Sequence, residues 1–315
     1  MGDLWGCLAL AEECAPSDEV LFLLSGGGEA GPILRGRGVP FHLAGSLAEE
    51  EKILRAFQAD AVVVNKLNSP PEYIRFLKGF GGLVATLEDT GEGSSLADLR
   101  LNVLYHRADA LTDPRYIALR KEFRDLHPQP KIVSKEVKEI LVTQGGSDTR
   151  GFTPKILRAL EKAACPARAT VVLGPAFRHE RELQEAASAL RRPLALLRDP
   201  DEMAPLMRRA DLAVTAGGIT LFELACLGVP SIVVCGERFE TETADRMAKA
   251  GAAVHLGFGG ELKEERLSEA VEALAADPEQ RKRLSARGKE QVDGQGAARV
   301  VQLIRKRLSM SGRRQ

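Results

Sequence analysis

Short apolar runs separated by longer amphipathic stretches set the firmest limit on what this chain can fold into. The runs are Val20 to Leu24, Ala61 to Val64, Leu83 to Leu87, Ile140 to Thr143, Thr170 to Leu173, Leu194 to Leu197, Leu212 to Thr215, Ser231 to Val234 and Ala253 to Leu256. A run that is apolar throughout, rather than at every second residue, suits a strand covered on both faces, as in a parallel sheet. Between the runs the apolar residues recur at the helical period, as in Ile53, Leu54 and Phe57, or Ile156, Leu157 and Leu160. Strand, helix and strand in succession is the βαβ rhythm of doubly wound α/β folds.

At 315 residues the chain exceeds the roughly 250 to 300 that one core normally serves, so two domains are expected. The rhythm breaks between Tyr116 and Ile132, where His127, Pro128, Gln129 and Pro130 supply two X-Pro steps that favour extended backbone. The predicted division is therefore 1–131 and 132–315, two Rossmann-like domains facing a central cleft.

Charge and cysteine usage narrow the classes of function. Lys plus Arg equals Asp plus Glu at 44 each, so no global field draws the chain toward nucleic acid or an anionic membrane. The 5 cysteines are scattered without CxxC spacing, which argues against a disulfide framework or a zinc site and for a reducing, cytoplasmic setting. No run reaches the roughly 18 to 20 apolar residues of a membrane span, and the N-terminus lacks the pattern of an export signal. The histidines show no metal-ligand spacing, so no metal is expected, and no cofactor is expected for the reading that follows.

The segment Asp211 to Cys235 carries the most chemistry. An apolar strand runs into Ala216, Gly217, Gly218, Ile219 and Thr220, and then into a helix through Leu227. Glycines at such a turn let backbone N–H groups approach an anion at the positive end of a helix, a cradle for phosphate. Glu223, one helical turn further on, is placed to accept hydrogen bonds from ribose hydroxyls. The alternative is a tight turn whose glycines only pack the helix against the sheet, and spacing alone leaves both open. Gly145, Gly146 and Ser147 repeat the pattern after the Ile140 strand. Gly174 and Phe177 follow the Thr170 strand, with His179 just beyond, either a site residue or a surface histidine at a helix start.

With these residues in view, the runs VTQGGSD, VVLGPAFRH, MRRADLAVTAGGITLFELACLGVPSIVV and VDGQGAARVV resemble the UDP-sugar hydrolases of pseudaminic acid biosynthesis and their spore-coat-polysaccharide relatives. In the first half, CLALAEE, VLFLLSGG, LEDTGEGSSLADLRLNVLY and DPRYIALRKEF extend the resemblance. It implies a two-domain GT-B architecture related to the glycosyltransferase 28 group, with a UDP-sugar on the second domain. Diphosphate would lie near Gly217, Gly218, Ile219 and Thr220, and ribose near Glu223. It also implies metal-free attack of water on the anomeric carbon as UDP departs, with backbone dipoles stabilising the leaving charge.

The sequence departs from the family in two places. The family opens with a strand and a glycine loop ending in Gly-His, whose histidine is taken as the catalytic base. Here Met1 falls inside that loop, so Asp3 stands at the histidine position, Gly6 at the usual arginine, and the first strand of the N-terminal domain has no counterpart. Near pKa 3.9, Asp is a far weaker proton acceptor than His near 6.5, so Asp3 is either a water-orienting residue or a solvated terminal carboxylate. After the Ser231 strand, where the family has a Glu-Asn-Gln-like cluster, this chain has Glu237, Arg238, Phe239 and Glu240. Glu237 is retained, and Arg238 is either a phosphate partner or a solvent-facing side chain. The expected functions are UDP-sugar hydrolysis, glycosyl transfer from the same nucleotide, or catalytically silent binding of a nucleotide-sugar or a pathway enzyme.

Overall fold

Apolar strand runs need cover on two faces, and the computed structural model supplies it with helices between consecutive strands. It describes residues 2–14, 16–25, 30–200 and 202–310. The chain divides into two units, Met1–Arg120 with Gln295–Gln315, and Lys121–Gly294.

In the first unit, α1 (Gly2–Glu12) precedes β1 (Phe22–Ser25), α2 (Ala30–Gly36), β2 (Phe41–Ala44) and α3 (Leu47–Phe57). Then come β3 (Ala61–Val64), α4 (Pro71–Lys78), β4 (Leu83–Leu87) and β5 (Leu99–Leu101). All pairings are parallel, but β1 and β2 form one sheet and β3, β4 and β5 another. The described residues thus open on a helix, and the strands of this unit lie in two sheets rather than one. Ser46 caps α3 by accepting from the Glu49 amide, and Pro71 starts α4 where a missing N–H costs nothing.

The second unit begins with α5 (Lys121–Leu126) and alternates strictly through β6 (Glu139–Thr143), α6 (Phe152–Lys162), β7 (Arg168–Leu173), α7 (Glu180–Ser188) and β8 (Leu194–Arg198). It continues with α8 (Met203–Arg209), β9 (Leu212–Thr215), α9 (Ile219–Leu227), β10 (Ser231–Cys235), α10 (Glu240–Lys249) and β11 (Val254–Phe258), and closes on α11 (Glu264–Ala276) and α12 (Pro278–Gln291). The strands form one parallel sheet in the order β11-β10-β9-β6-β7-β8. Its core includes Ile140, Val142, Val171, Val214 and Ile232 from the strands, with Ile156, Leu157, Leu160, Leu183 and Val271 from the covering helices. This is the doubly wound order: the chain winds outward from β6 to β8, returns beside β6 as β9, and winds outward again.

The last helix, α13 (Gly296–Met310), belongs to the first unit. Its apolar face, Ala297, Val300, Val301 and Ile304, joins Leu10 of α1 and Leu83, Ala85 and Leu87 of β4 in one buried cluster. The division therefore differs from the predicted one at 131/132. Residues ahead of that point already pack in the second unit: the His127 ring nitrogen Nδ1 is 2.8 Å from the Cys226 carbonyl, and the Lys131 ammonium donates to the carbonyls of Arg208 and Ala210. The two X-Pro steps mark an irregular segment inside a unit, not its edge.

Candidate functional site

In a doubly wound sheet the crevice for ligands opens at the carboxyl ends of the strands, where winding reverses. Here that point lies between β6 and β9, paired from Ile140 with Leu212 to Thr143 with Thr215. The residues immediately beyond both strands are those chosen from the sequence, Gly145 to Ser147 and Ala216 to Thr220. Gln144 ties the two ends together. With its amide turned to satisfy both atoms, it accepts from the Ala216 N–H and donates to the Val234 carbonyl, each at 3.3 Å.

The turn from β9 into α9 has an open part and a closed part. Gly217 is buried, and its amide donates to Glu240 Oε2 at 3.2 Å. A Cβ on Gly217 would stand 2.8 Å from the Glu240 Cβ, so this glycine is required by the packing of a neighbouring side chain. The Gly217 amide, expected to face an anion from outside, already has one from within. Gly218 is different: it is the N-cap of α9, no side chain caps the helix there, and Gly218, Ile219 and Thr220 are all partly exposed. The first amides of a helix have no intrahelical acceptor, so these three carry the anion-binding potential of the turn. Glu223, one turn on, is a largely buried carboxylate, 8% exposed.

The turns after β6 and β7 form one packed unit. Gly146 O accepts from the Ala176 amide at 3.0 Å, and a Cβ on Gly174 would fall 2.2 Å from the same oxygen, so only glycine fits. The His179 ring packs against Gly151, meets the Phe177 ring edge-on with centroids 5.8 Å apart, and has Nε2 3.3 Å from the Thr149 carbonyl. The Ser147 hydroxyl lies 2.9 Å from that of Thr149. The predicted repeat of the phosphate cradle is corrected here. Asp148, buried and at a left-handed φ of 41°, accepts from the Phe152 and Thr153 amides at 2.8 Å each, and so occupies the N-terminus of α6 with its own carboxylate.

The β10 turn completes the rim. Glu237 Oε2 accepts from Arg150 Nε at 3.1 Å and Nη2 at 2.9 Å, joining this turn to the one after β6. Arg238, offered by sequence as a phosphate partner, instead pairs with Glu261 and stacks over Phe258 with its guanidinium carbon 4.7 Å from the ring centroid. Arg150 lies over the same ring at 5.2 Å. Behind the turn, Cys235 Sγ is 3.3 Å from His255 Nε2, and Asp245 Oδ1 is 2.7 Å from His255 Nδ1. Burial, reinforced by Glu240 and Asp245, pushes the Cys235 thiol up to about 12, so it stays protonated beside the imidazole.

In the first unit, Asp3 lies on α1, with its side chain outside the described residues. At the carboxyl end of β4, Glu88 adopts a left-handed φ of 52° and its carboxylate accepts from the Val103, Leu104 and Tyr105 amides. Next to it, buried Asp89 accepts from the Ser69 and Gly91 amides. Among the described residues, no group of three or more His, Cys, Asp or Glu is placed to hold a metal ion, and no helix is long and apolar enough to cross a membrane. Sequence reasoning missed Gln144, Asp148 and Glu240 as members of the rim. Asp148 stands three residues ahead of the α6 N-cap, Gly151, so no capping rule along the sequence points to it.

Residues 140–302 match the family described as glycosyltransferase family 28 C-terminal domain. Over 276 residues the chain is 27% identical to the spore coat polysaccharide biosynthesis protein SpsG of Bacillus subtilis (strain 168), covering 82% of this chain and 80% of that one. Its fold is similar to that of MurG from Acinetobacter baumannii, with a TM-score of 0.73 at 15% identity over 97% of this chain and 96% of that one. It is also similar to Anabaena Alr3699/HepE, solved in complex with UDP-glucose, with a TM-score of 0.64 at 13% identity over 98% and 96% of the two chains. The architecture is thus α/β of the glycosyltransferase-like GT-B kind, built on parallel sheets.

Proposed function

The chain belongs to the glycosyltransferase family 28 C-terminal domain family, and from that premise we propose that it binds a UDP-sugar at the carboxyl ends of β6 and β9 and acts at the anomeric carbon with UDP as leaving group, in the synthesis of a surface polysaccharide. The observation that carries this reading is the start of α9: at the reversal of the sheet, Gly218, Ile219 and Thr220 stand partly exposed with no side-chain cap. A diphosphate laid there receives backbone N–H groups and the positive end of the helix, which also stabilise the charge that grows on the leaving oxygen. The bond from the anomeric carbon to the phosphate oxygen breaks, its electron pair leaves with UDP, and an acceptor oxygen takes its place at carbon while losing its proton.

Water as the acceptor gives a hydrolase, and the role of the relative in spore coat polysaccharide synthesis supports a sugar-pathway reaction of this type. A sugar hydroxyl as the acceptor gives a transferase, a reading favoured by the glycosyltransferase family match. Catalytically silent binding is the third outcome. Calorimetry with UDP and ADP is the first test, and UDP is expected to bind more tightly. Glu223→Gln is expected to weaken UDP by about 1–3 kcal/mol, the worth of a hydrogen bond to a charged group. Because Glu223 is buried, the melting temperature is measured alongside. Equal affinity for UDP and ADP, or none for either, rules the reading out. Incubation with UDP-N-acetylglucosamine, followed by detection of UDP together with free sugar, then separates hydrolysis from transfer and from silence.

A further inference from the structure

Glu240 opens α10, but its carboxylate serves the turns around it. Oε2 accepts from the Gly236 amide at 2.7 Å, the Gly217 amide at 3.2 Å and the Glu237 amide at 3.3 Å. Oε1 faces the start of α9, 3.5 Å from where a Cβ on Gly218 would stand. Among the described residues this carboxylate makes no ion pair. The charged groups around it are engaged with one another: Glu237 with Arg150, Arg238 with Glu261, and Asp245 with His255, which in turn contacts the Cys235 thiol of β10. Burial pushes the Glu240 carboxyl above the ordinary carboxylate range, opposed by its bonds to the three amides and reinforced by Glu237. When ionised, this carboxylate puts a negative charge without a counter-cation beside Gly218, where the helix that the proposed diphosphate uses begins.

We propose that Glu240 sets the charge preference of this site, favouring a nucleoside diphosphate whose terminal phosphate is esterified, as by a sugar, over the free nucleoside diphosphate. The inference rests on the reading of the α9 turn as a diphosphate site. Near pH 8 a free terminal phosphate bears about one more negative charge than its ester. A fixed carboxylate beside it penalises that extra charge more than it penalises the ester, which is selection by a repulsive element. The chemical consequence follows directly: breaking the bond to the anomeric carbon converts an ester that the site accepts into a product that it repels, so Glu240 drives UDP out after the glycosyl group has left.

The test is calorimetry near pH 8 on the intact protein with UDP, the terminal methyl ester of UDP, and UDP-N-acetylglucosamine. The methyl ester removes the charge without adding a sugar. The wild type is expected to bind the methyl ester at least as tightly as UDP. Glu240→Gln, which keeps an oxygen for the three amides, is expected to tighten UDP about fivefold or more while changing both esters by less than about twofold. Glu240→Asp, which keeps the charge, is expected to retain a preference for the esters. A wild type that binds UDP more than about fivefold tighter than its methyl ester overturns the inference without recourse to any variant. Equal tightening of all three ligands by Glu240→Gln, or a ratio that shifts only because UDP-N-acetylglucosamine weakens, overturns it while leaving the site assignment standing. Failure of every ligand to bind any form at millimolar concentration overturns the site assignment and this inference together.

Discussion

Cys235 has the neighbours of a reactive cysteine, an imidazole at 3.3 Å with a carboxylate behind it, yet its chemistry is that of a buried thiol. A nucleophilic cysteine needs a thiolate, and a thiolate needs either solvent or a nearby positive charge. Cys235 is fully buried, with Glu240 and Asp245 adding negative potential, so its thiol is held up to about 12. Cys226 is pushed to about 12 by burial and by Asp293, and Cys165 is buried as well. Because a raised thiol pKa keeps the protonated form at every pH below it, raising the pH from 7 to 9 exposes no new thiolate at Cys226 or Cys235. A colorimetric thiol titration of the native protein is therefore expected to show reaction only at partly exposed Cys7 and Cys14, slower at Cys14 because burial and Asp18 raise its thiol, with all 5 reacting in denaturant. More than two reactive thiols in the folded protein contradicts this account.

Among the elements, α6 and α9 start in contrasting ways, and the contrast decides which of them offers a binding end. Asp148 closes the first turn of α6 through two amides, whereas α9 begins on a glycine without a side-chain cap. Asp148→Ala removes both acceptors from a buried helix start and is expected to cost about 1–2 kcal/mol in urea unfolding. The sequence made α9 legible because a Gly-Gly pair between an apolar strand and a buried helix is a local signal. The strands with continuous apolar runs were equally legible: each corresponds to an observed strand. The ones missed were β2, whose Phe41, His42, Leu43 and Ala44 follow a proline and include a polar residue, and β5, only Leu99 to Leu101 and bearing Arg100. Runs that short carry too few residues to establish a period. Glu240 was illegible for another reason. Its partners Gly217 and Gly236 are brought to it by the pairing of β9 with β10, and no reading along the chain displays that neighbourhood.

For the whole molecule, the division into units is discontinuous in sequence, since residues 295–315 return to the unit that begins the chain. Ile304 of α13 is buried in the cluster that also holds Leu10, Leu83 and Leu87. Ile304→Ala is expected to destabilise that unit by about 2–5 kcal/mol, the usual loss for emptying a buried branched side chain. Hydrogen exchange should then accelerate in α1, β4 and α13, while β6 and β9 keep their protection. Loss of protection spread evenly over both units would mean that the two units unfold as one.

That return has a consequence on the ribosome. Synthesis runs from the N-terminus at roughly 5–20 residues per second, so the strands of the first unit emerge long before the helix that covers β4, a wait on the order of ten seconds or more. The second unit, whose segments are contiguous, has every part of its own core in hand earlier. The part of the protein translated first is thus finished last, and through that interval Leu83, Ala85 and Leu87 lack their final cover. During translation, the nascent first unit is where a holdase chaperone has an apolar surface to grip.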